Sequence, residues 1–168
     1  MPPVTLPRLR GRTRRVVLAA ALPAALAVTA LPSAAQANFV TLSNSGQLMY
    51  EQTNVGNNNV VVRQILRHVR VQSSQVITGH TVNCERLSTN EVACFAGDVD
   101  HITVDMGLGS DTVEYRAPKP GTVDMGAGND KVLGGTREQD GESIQPVTYL
   151  GGANSDTISY EKATSGSA

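Results

Sequence analysis

Three stretches of this chain follow one pattern: VDMGLGSDTVEY (104–115), VDMGAGNDKVLG (123–134) and YLGGANSDTISY (149–160). Each sets a glycine, then glycine or asparagine two residues on, then aspartate after two more, then Val or Ile. The positions are Gly107, Gly109, Asp111, Val113; Gly126, Gly128, Asp130, Val132; and Gly152, Asn154, Asp156, Ile158. A degraded fourth copy runs from Gly134 to Asp140. Repeated units of this length cannot bury an apolar face alone, so they must stack on one another. If one strand and turn take about nine residues, two such units bring the chain back to the same side of the stack. Asp111 and Asp130 are 19 residues apart in sequence, which predicts side-by-side turns.

The residue types set the chemistry of those turns. Glycines at alternate positions admit left-handed backbone that other residues avoid, and such a turn aims carbonyl oxygens inward. The closing aspartate adds a carboxylate, and the short strand beyond it points a branched residue at the core. An all-oxygen ligand set in flexible turns selects a hard cation and suits Ca²⁺ better than octahedral Mg²⁺. Parallel strands stack about 4.8 Å apart, so an ion taking bonds of about 2.4 Å can draw on two adjacent turns. Asp105 and Asp124 recur at matching places and either add ligands or only negative field. The rival reading has aspartates that merely close Asx-turns; three copies with matching offsets weigh against it.

The rest of the chain has another composition. All eight aspartates lie beyond Gly97, and 12 of the 16 glycines lie from Gly97 onward. Residues 38–96 read as short β segments bounded by Asn, Ser and Gly. These are Phe39–Leu42, Gln47–Glu51, Val60–Leu66, Val69–Gln72, Val76–Ile77, Thr81–Cys84 and Val92–Phe95. Val60–Val71 has helical spacing of its apolar residues, but its Val-Val-Val start favours strand. With two Phe, four Tyr and no Trp, the core must come from Val, Ile, Leu and Ala, which suits a narrow, regularly stacked interior.

Residues 1–37 read as a secretory signal cleaved after Ala37. Arg8, Arg10, Arg12, Arg14 and Arg15 precede an apolar run, Val16–Leu31, broken by Pro23 and followed by Ala35-Gln36-Ala37. The Arg14-Arg15 pair leaves Sec and Tat routes both open. The signal holds five of the 14 Lys+Arg and none of the 15 Asp+Glu, so the mature chain carries 9 basic and 15 acidic residues, a net charge of −6. That balance argues against a nucleic-acid or anionic-membrane partner. An exported chain meets oxidising conditions, which makes Cys84 and Cys94 a disulfide. A hairpin looping at Ser88-Thr89-Asn90 sets Leu87 against Glu91, Arg86 against Val92 and Cys84 against Cys94, close enough to bridge. A Cys₂ metal site lacks further ligands nearby.

The turns resemble the RTX (haemolysin-type) calcium-binding repeat, G-G-x-G-x-D-x-U-x, over residues 104–160, about a third of the chain. The resemblance implies a right-handed parallel β-roll that folds on Ca²⁺ outside the cell. It makes Asp111 and Asp130 the carboxylate ligands and Gly107, Gly109, Gly126 and Gly128 the turn residues whose carbonyls are neutral ligands. Gly152 and Asp156 belong to a third turn. This sequence departs from the pattern at Met106 and Met125, which stand where the first glycine belongs, and at Asn154. Copy three begins 26 residues after copy two.

No H-E-x-x-H or G-x-S-x-G is present, and His68, His80 and His101 are isolated in sequence, so catalysis is not expected. The sequence thus predicts an all-β protein. A signal at 1–37 precedes a β region, 38–96, with a disulfide hairpin at 81–95; a short parallel β-roll or β-helix stack then fills 97–168. Its expected function is extracellular calcium binding. The alternative is a calcium-independent secreted surface or adhesion protein. With no evident capping strand, self-association or a cell-surface partner is expected.

Overall fold

The computed structural model describes residues 38–134 and 145–160; residues 1–37, expected to be a signal, most of the degraded fourth copy and the last eight residues lie outside this range. The order is β1 (Asn38–Leu42), β2 (Gln47–Glu51), β3 (Asn59–Ile65), β4 (His68–Ser73), β5 (Ile77–His80), β6 (Cys84–Ser88) and β7 (Glu91–Phe95). A 3₁₀ turn at Ala96–Asp98 leads to β8 (His101–Asp105), β9 (Thr112–Arg116), β10 (Gly121–Asp124), β11 (Lys131–Leu133), β12 (Val147–Leu150) and β13 (Thr157–Ser159). Among the described residues there is no α-helix, and hence none long and apolar enough to cross a membrane. The Val-rich segment with helical spacing is the β3–β4 hairpin. Two expected segments shift: Val76–Ile77 becomes β5, starting at Ile77, and Thr81–Cys84 is a turn from which β6 begins at Cys84.

The strands form two sheets, ordered β12-β10-β8-β2-β1-β5 and β13-β11-β9-β3-β4-β7-β6. From β2 and β3 onward along each sheet, every neighbour is parallel: β2·β8, β8·β10 and β10·β12 in one, β3·β9, β9·β11 and β11·β13 in the other. On the other side, β1·β2, β3·β4, β4·β7 and β6·β7 are antiparallel. Both sheets are therefore mixed: the parallel neighbours expected in the C-terminal half continue sheets shared with the N-terminal strands and do not form a parallel stack of their own. The chain alternates between sheets, so that β2–β3, β8–β9, β10–β11 and β12–β13 each make one coil.

Registers explain why small aliphatics suffice. Val60, Val113 and Val132 are neighbours across three coils, as are Tyr50, Val104 and Val123, and each is at most 2% exposed. Alternate residues of a strand face one side, so every coil delivers the same side chains at the same height. Fully burying one such Val contributes about 1.5–3 kcal/mol. Met106 and Met125 are also fully buried, so at these two places the repeat spends its side chain on the core.

Cys84 and Cys94 are register partners joined by a disulfide. The hairpin tip differs from expectation: Ser88, not Leu87, faces Glu91, and a register shift falls between Arg86 and Ser88. Its loop is two residues, Thr89-Asn90, and Leu87 is bulged outward and 41% exposed. The bulge lets the hairpin close tightly without moving the cysteines out of register. With a sequence separation of only 10, the cross-link contributes on the order of 2–3 kcal/mol. The Cys84→Ser/Cys94→Ser chain should lose that much in denaturant unfolding; an unchanged midpoint and slope contradicts the estimate.

Candidate metal centre

Four turns lie above one another where the coils pass from the first sheet to the second: Gln52–Asn58, Met106–Asp111, Met125–Asp130 and Gly151–Asp156. Leu108, Ala127 and Ala153 form parallel bridges between the last three. The spacing is set by backbone: Ala127 N–H donates to the Gly107 carbonyl at 2.8 Å, and Ala153 N–H to the Gly126 carbonyl at 2.9 Å. Side chains would obstruct this approach. A Cβ on Gly128 would sit 1.5 Å from the Gly109 oxygen, and one on Gly126 would sit 1.9 Å from the Gly107 oxygen. Gly126 also has φ of +77°, which other residues adopt at a cost. Asn154 takes the left-handed place of the missing glycine at φ +85°.

Two ladders of side chains run along the turns in opposite directions. The carboxylate ladder reaches backward: Asp111 Oδ1 accepts from Asn58 N–H at 2.7 Å, Asp130 Oδ1 from Asp111 N–H at 2.7 Å and Asp156 Oδ1 from Asp130 N–H at 3.1 Å. The residue before each reaches forward. Asn57 Oδ1 accepts from Ser110 N–H at 2.8 Å, and Asn129 Oδ1 from Ser155 N–H at 3.1 Å. Each coil is thus bonded to its neighbour by strands, turn backbone and side chains together.

Asp111 and Asp130 are 1% and 3% exposed, and the Oδ2 of each is buried with no hydrogen-bond partner. The side-chain oxygens of Asn58 and Gln52, Oδ1 and Oε1, are buried and unpartnered too. Unpartnered buried oxygens are expensive, carboxylates most of all. The cost falls on the charged form of each carboxyl. Burial pushes the Asp111 carboxyl from 3.8 up to about 6; the Asn58 N–H pulls it down, Asp130 pushes it up and the Gln52 amide pulls it down. That amide lies beside Asp111, yet its Nε2 is directed at the carbonyls of Asn54, Gly56 and Leu108, which leaves Oδ2 bare. Burial raises Asp130 as well, opposed by the Asp111 N–H and aided by Asp156.

The other expected residues are placed differently. Asp105 Oδ1 accepts from Gly107 N–H, and Asp124 Oδ1 from Gly126 N–H, both at 3.1 Å; these carboxylates close their own turns. The Gly107 and Gly126 carbonyls bond the next coil, and Asp156 in the last described turn is exposed. The arrangement offers two buried carboxylate oxygens with neutral amide oxygens above them. Among the described residues, no group of three or more His, Cys, Asp or Glu converges to hold a metal. The donors present, all oxygen, fit a hard cation. Each histidine stands elsewhere: His68 edge-on to Phe95, His80 beside the Thr81 carbonyl and His101 beside Thr122.

The sequence marks Gly56-Asn57-Asn58-Asn59 as a turn, but not as a copy of the repeat. Residues 54–58, NVGNN, match GLGSD (107–111), GAGND (126–130) and GANSD (152–156) once Asn stands for the first Gly and for the closing Asp. Asn58 occupies the aspartate position with a neutral side chain. The readable signal was Gly-x-Asn directly before a Val-rich strand.

No protein-family model, characterised protein or solved structure compared with this chain matches it.

Two outcomes follow from this geometry. Gly128→Ala should cost more than about 1 kcal/mol, whereas Gly56→Ala, whose Cβ would have no neighbour nearer than 3.7 Å, should cost far less; equal costs in chemical denaturation contradict the stacking account. In metal-free buffer, a carboxyl raised from 3.8 to about 6 binds its proton more tightly when folded. Stability should therefore rise as pH falls from 7 through that window, by on the order of 2–3 kcal/mol from Asp111. Denaturant midpoints at pH 7 and pH 4.5 test the sign.

Proposed function

We propose that this chain is an exported calcium-binding protein in which the stacked turns form a short β-roll whose coils are tied together by Ca²⁺. One observation carries the reading: Asp111 and Asp130 stand on successive coils, buried, each with one oxygen bonded to the neighbouring backbone and one oxygen bare. When bound, Ca²⁺ supplies positive charge and a coordination centre for hard oxygen donors. Asp111 and Asp130 would hold it through their bare Oδ2 atoms, and Asn58 and Gln52 on the first turn would offer their unpartnered oxygens as neutral donors. Asp105 and Asp124 act as turn closers rather than ligands, and Asp156 supports Asp130 through its N–H. Without the cation the two carboxylates repel each other in a poorly hydrated place; with it they are drawn together, so that binding and coil stacking are coupled. The parallel pairing of β8–β13 and the resemblance of 104–160 to RTX repeats support the β-roll. The disulfide and the signal-like residues 1–37 support export. The role is binding, with no catalytic step.

The satisfied Oδ1 atoms favour a second reading, a calcium-independent secreted β protein in which the aspartates serve only as hydrogen-bond acceptors. Thermal unfolding of residues 38–168 separates the two. Calcium at about 100 times its dissociation constant should add about 2.7 kcal/mol, Mg²⁺ at equal concentration far less, and Asp130→Asn should remove the response. A midpoint that calcium leaves unmoved contradicts the proposal and favours the second reading.

A further inference from the structure

The strand ends away from the aspartate turns are joined by other connections, among them Leu66-Arg67 between β3 and β4, the Ala96–Asp98 turn and Ala117–Pro120 between β9 and β10. A cleft of about 600 Å³ opens there, lined in part by Gln64, Leu66, Arg67, Phe95, Pro118 and Lys119. That size falls within the range of clefts that hold small organic ligands.

Three features of the cleft are unexplained by folding. Leu66 has φ of +55° and is 81% exposed. A branched side chain in left-handed backbone costs on the order of 1 kcal/mol, and exposure returns none of it; Gly or Asn would serve this two-residue turn better. Next, Arg67 and Lys119 enter no ion pair among the described residues, whereas Arg63 and Arg70 pair with Glu91 and Arg116 pairs with Glu114. Arg86 and Lys131 also lack an ion pair among the described residues, but Arg67 and Lys119 line the same cleft, in a mature chain of net charge −6. Finally, Gln64 Oε1 is buried with no hydrogen-bond partner, while Gln64 Nε2 holds the Leu66 carbonyl at 3.4 Å. Phe95, 45% exposed, adds an aromatic surface beside them.

These groups ask for two things of one ligand: negative charge for Arg67 and Lys119, and an apolar body for Leu66, Phe95 and Pro118. We propose that the cleft binds the C-terminal residue of a peptide ending in an apolar side chain, with the terminal carboxylate on Arg67 and Lys119. Charge-assisted bonds fix the carboxylate, and the apolar contacts supply burial. The inference stands apart from calcium binding, which concerns the opposite strand ends.

The test uses ¹⁵N-labelled 38–168 titrated with N-acetyl-Ala-Phe as the free acid and as its C-terminal amide. The free acid should shift the amide signals of Leu66, Phe95, Gly97 and Lys119 in a saturable way, and the amide form should bind at least tenfold more weakly. Arg67→Ala/Lys119→Ala should lose at least tenfold in affinity for the free acid. Leu66→Gly keeps the proposal testable should that double variant fold poorly: it should unfold no more easily than the parent chain and still bind several-fold more weakly. Absence of saturable shifts at these residues up to about 10 mM peptide, beyond the millimolar end of the affinity scale, or equal binding of acid and amide, overturns the proposal.

Discussion

The architecture depends on how closely one coil can lie on the next. The Asp111 and Asp130 carboxylates each take a backbone N–H from the preceding coil at 2.7 Å, and carbonyl–amide bonds at 2.8–2.9 Å tie the turns beside them. This approach leaves no room for a Cβ at Gly126 or Gly128, so the glycines are demanded by packing between coils as much as by turn conformation. Once the turns stack at strand spacing, the strands on either side are held in register, and the Val and Tyr columns of the core follow. Strands β1 and β5 in one sheet and β4, β7 and β6 in the other extend this stack on one side, with the disulfide joining β6 to β7; β12 and β13 lie at the other end.

The same contact carries an electrostatic cost, and its balance can be read. A backbone N–H bonded to a carboxylate favours the charged form and contributes about 1.5–3 kcal/mol. Yet the net displacement of Asp111 is upward, to about 6, so lost hydration and the neighbouring carboxylate outweigh that bond. A purely structural acceptor would be better served by a neutral amide, which carries no desolvated charge. Retaining charge at Asp111 and Asp130 while leaving their second oxygens bare is the arrangement that a bound cation would turn from a penalty into a gain. That is the physical basis of the calcium proposal.

Much of this was legible in the sequence because it is local or periodic. The Gly-x-Gly-x-Asp offsets located three of the four turns, and the 19-residue spacing matched the register of β8 on β10 and β9 on β11. Val- and Thr-rich runs marked most strands, and counting back from a hairpin loop paired Cys84 with Cys94. What stayed hidden depends on distant partners. The NVGNN turn lies 53 residues from its neighbour in the stack, with Asn in place of both Gly and Asp, so no short-range period reveals it. The antiparallel pairing of β4 with β7 is tertiary, and the bulge at Leu87 is set by how the β6–β7 hairpin closes. Met106 and Met125 looked like defects in the motif until the structure directed their side chains into the core. The cleft at Leu66 and Arg67 is assembled from connections far apart in sequence, and only the fold brings its cations together.

The most direct measurement is carboxyl-carbon NMR of Asp111 and Asp130, titrated with pH in chelator and again in calcium. The account predicts that Asp111 titrates near 6 in chelator and that calcium moves it below the ordinary carboxylate value of about 4, with Asp130 moving in the same direction. An Asp111 that titrates at the ordinary value in both conditions would contradict it.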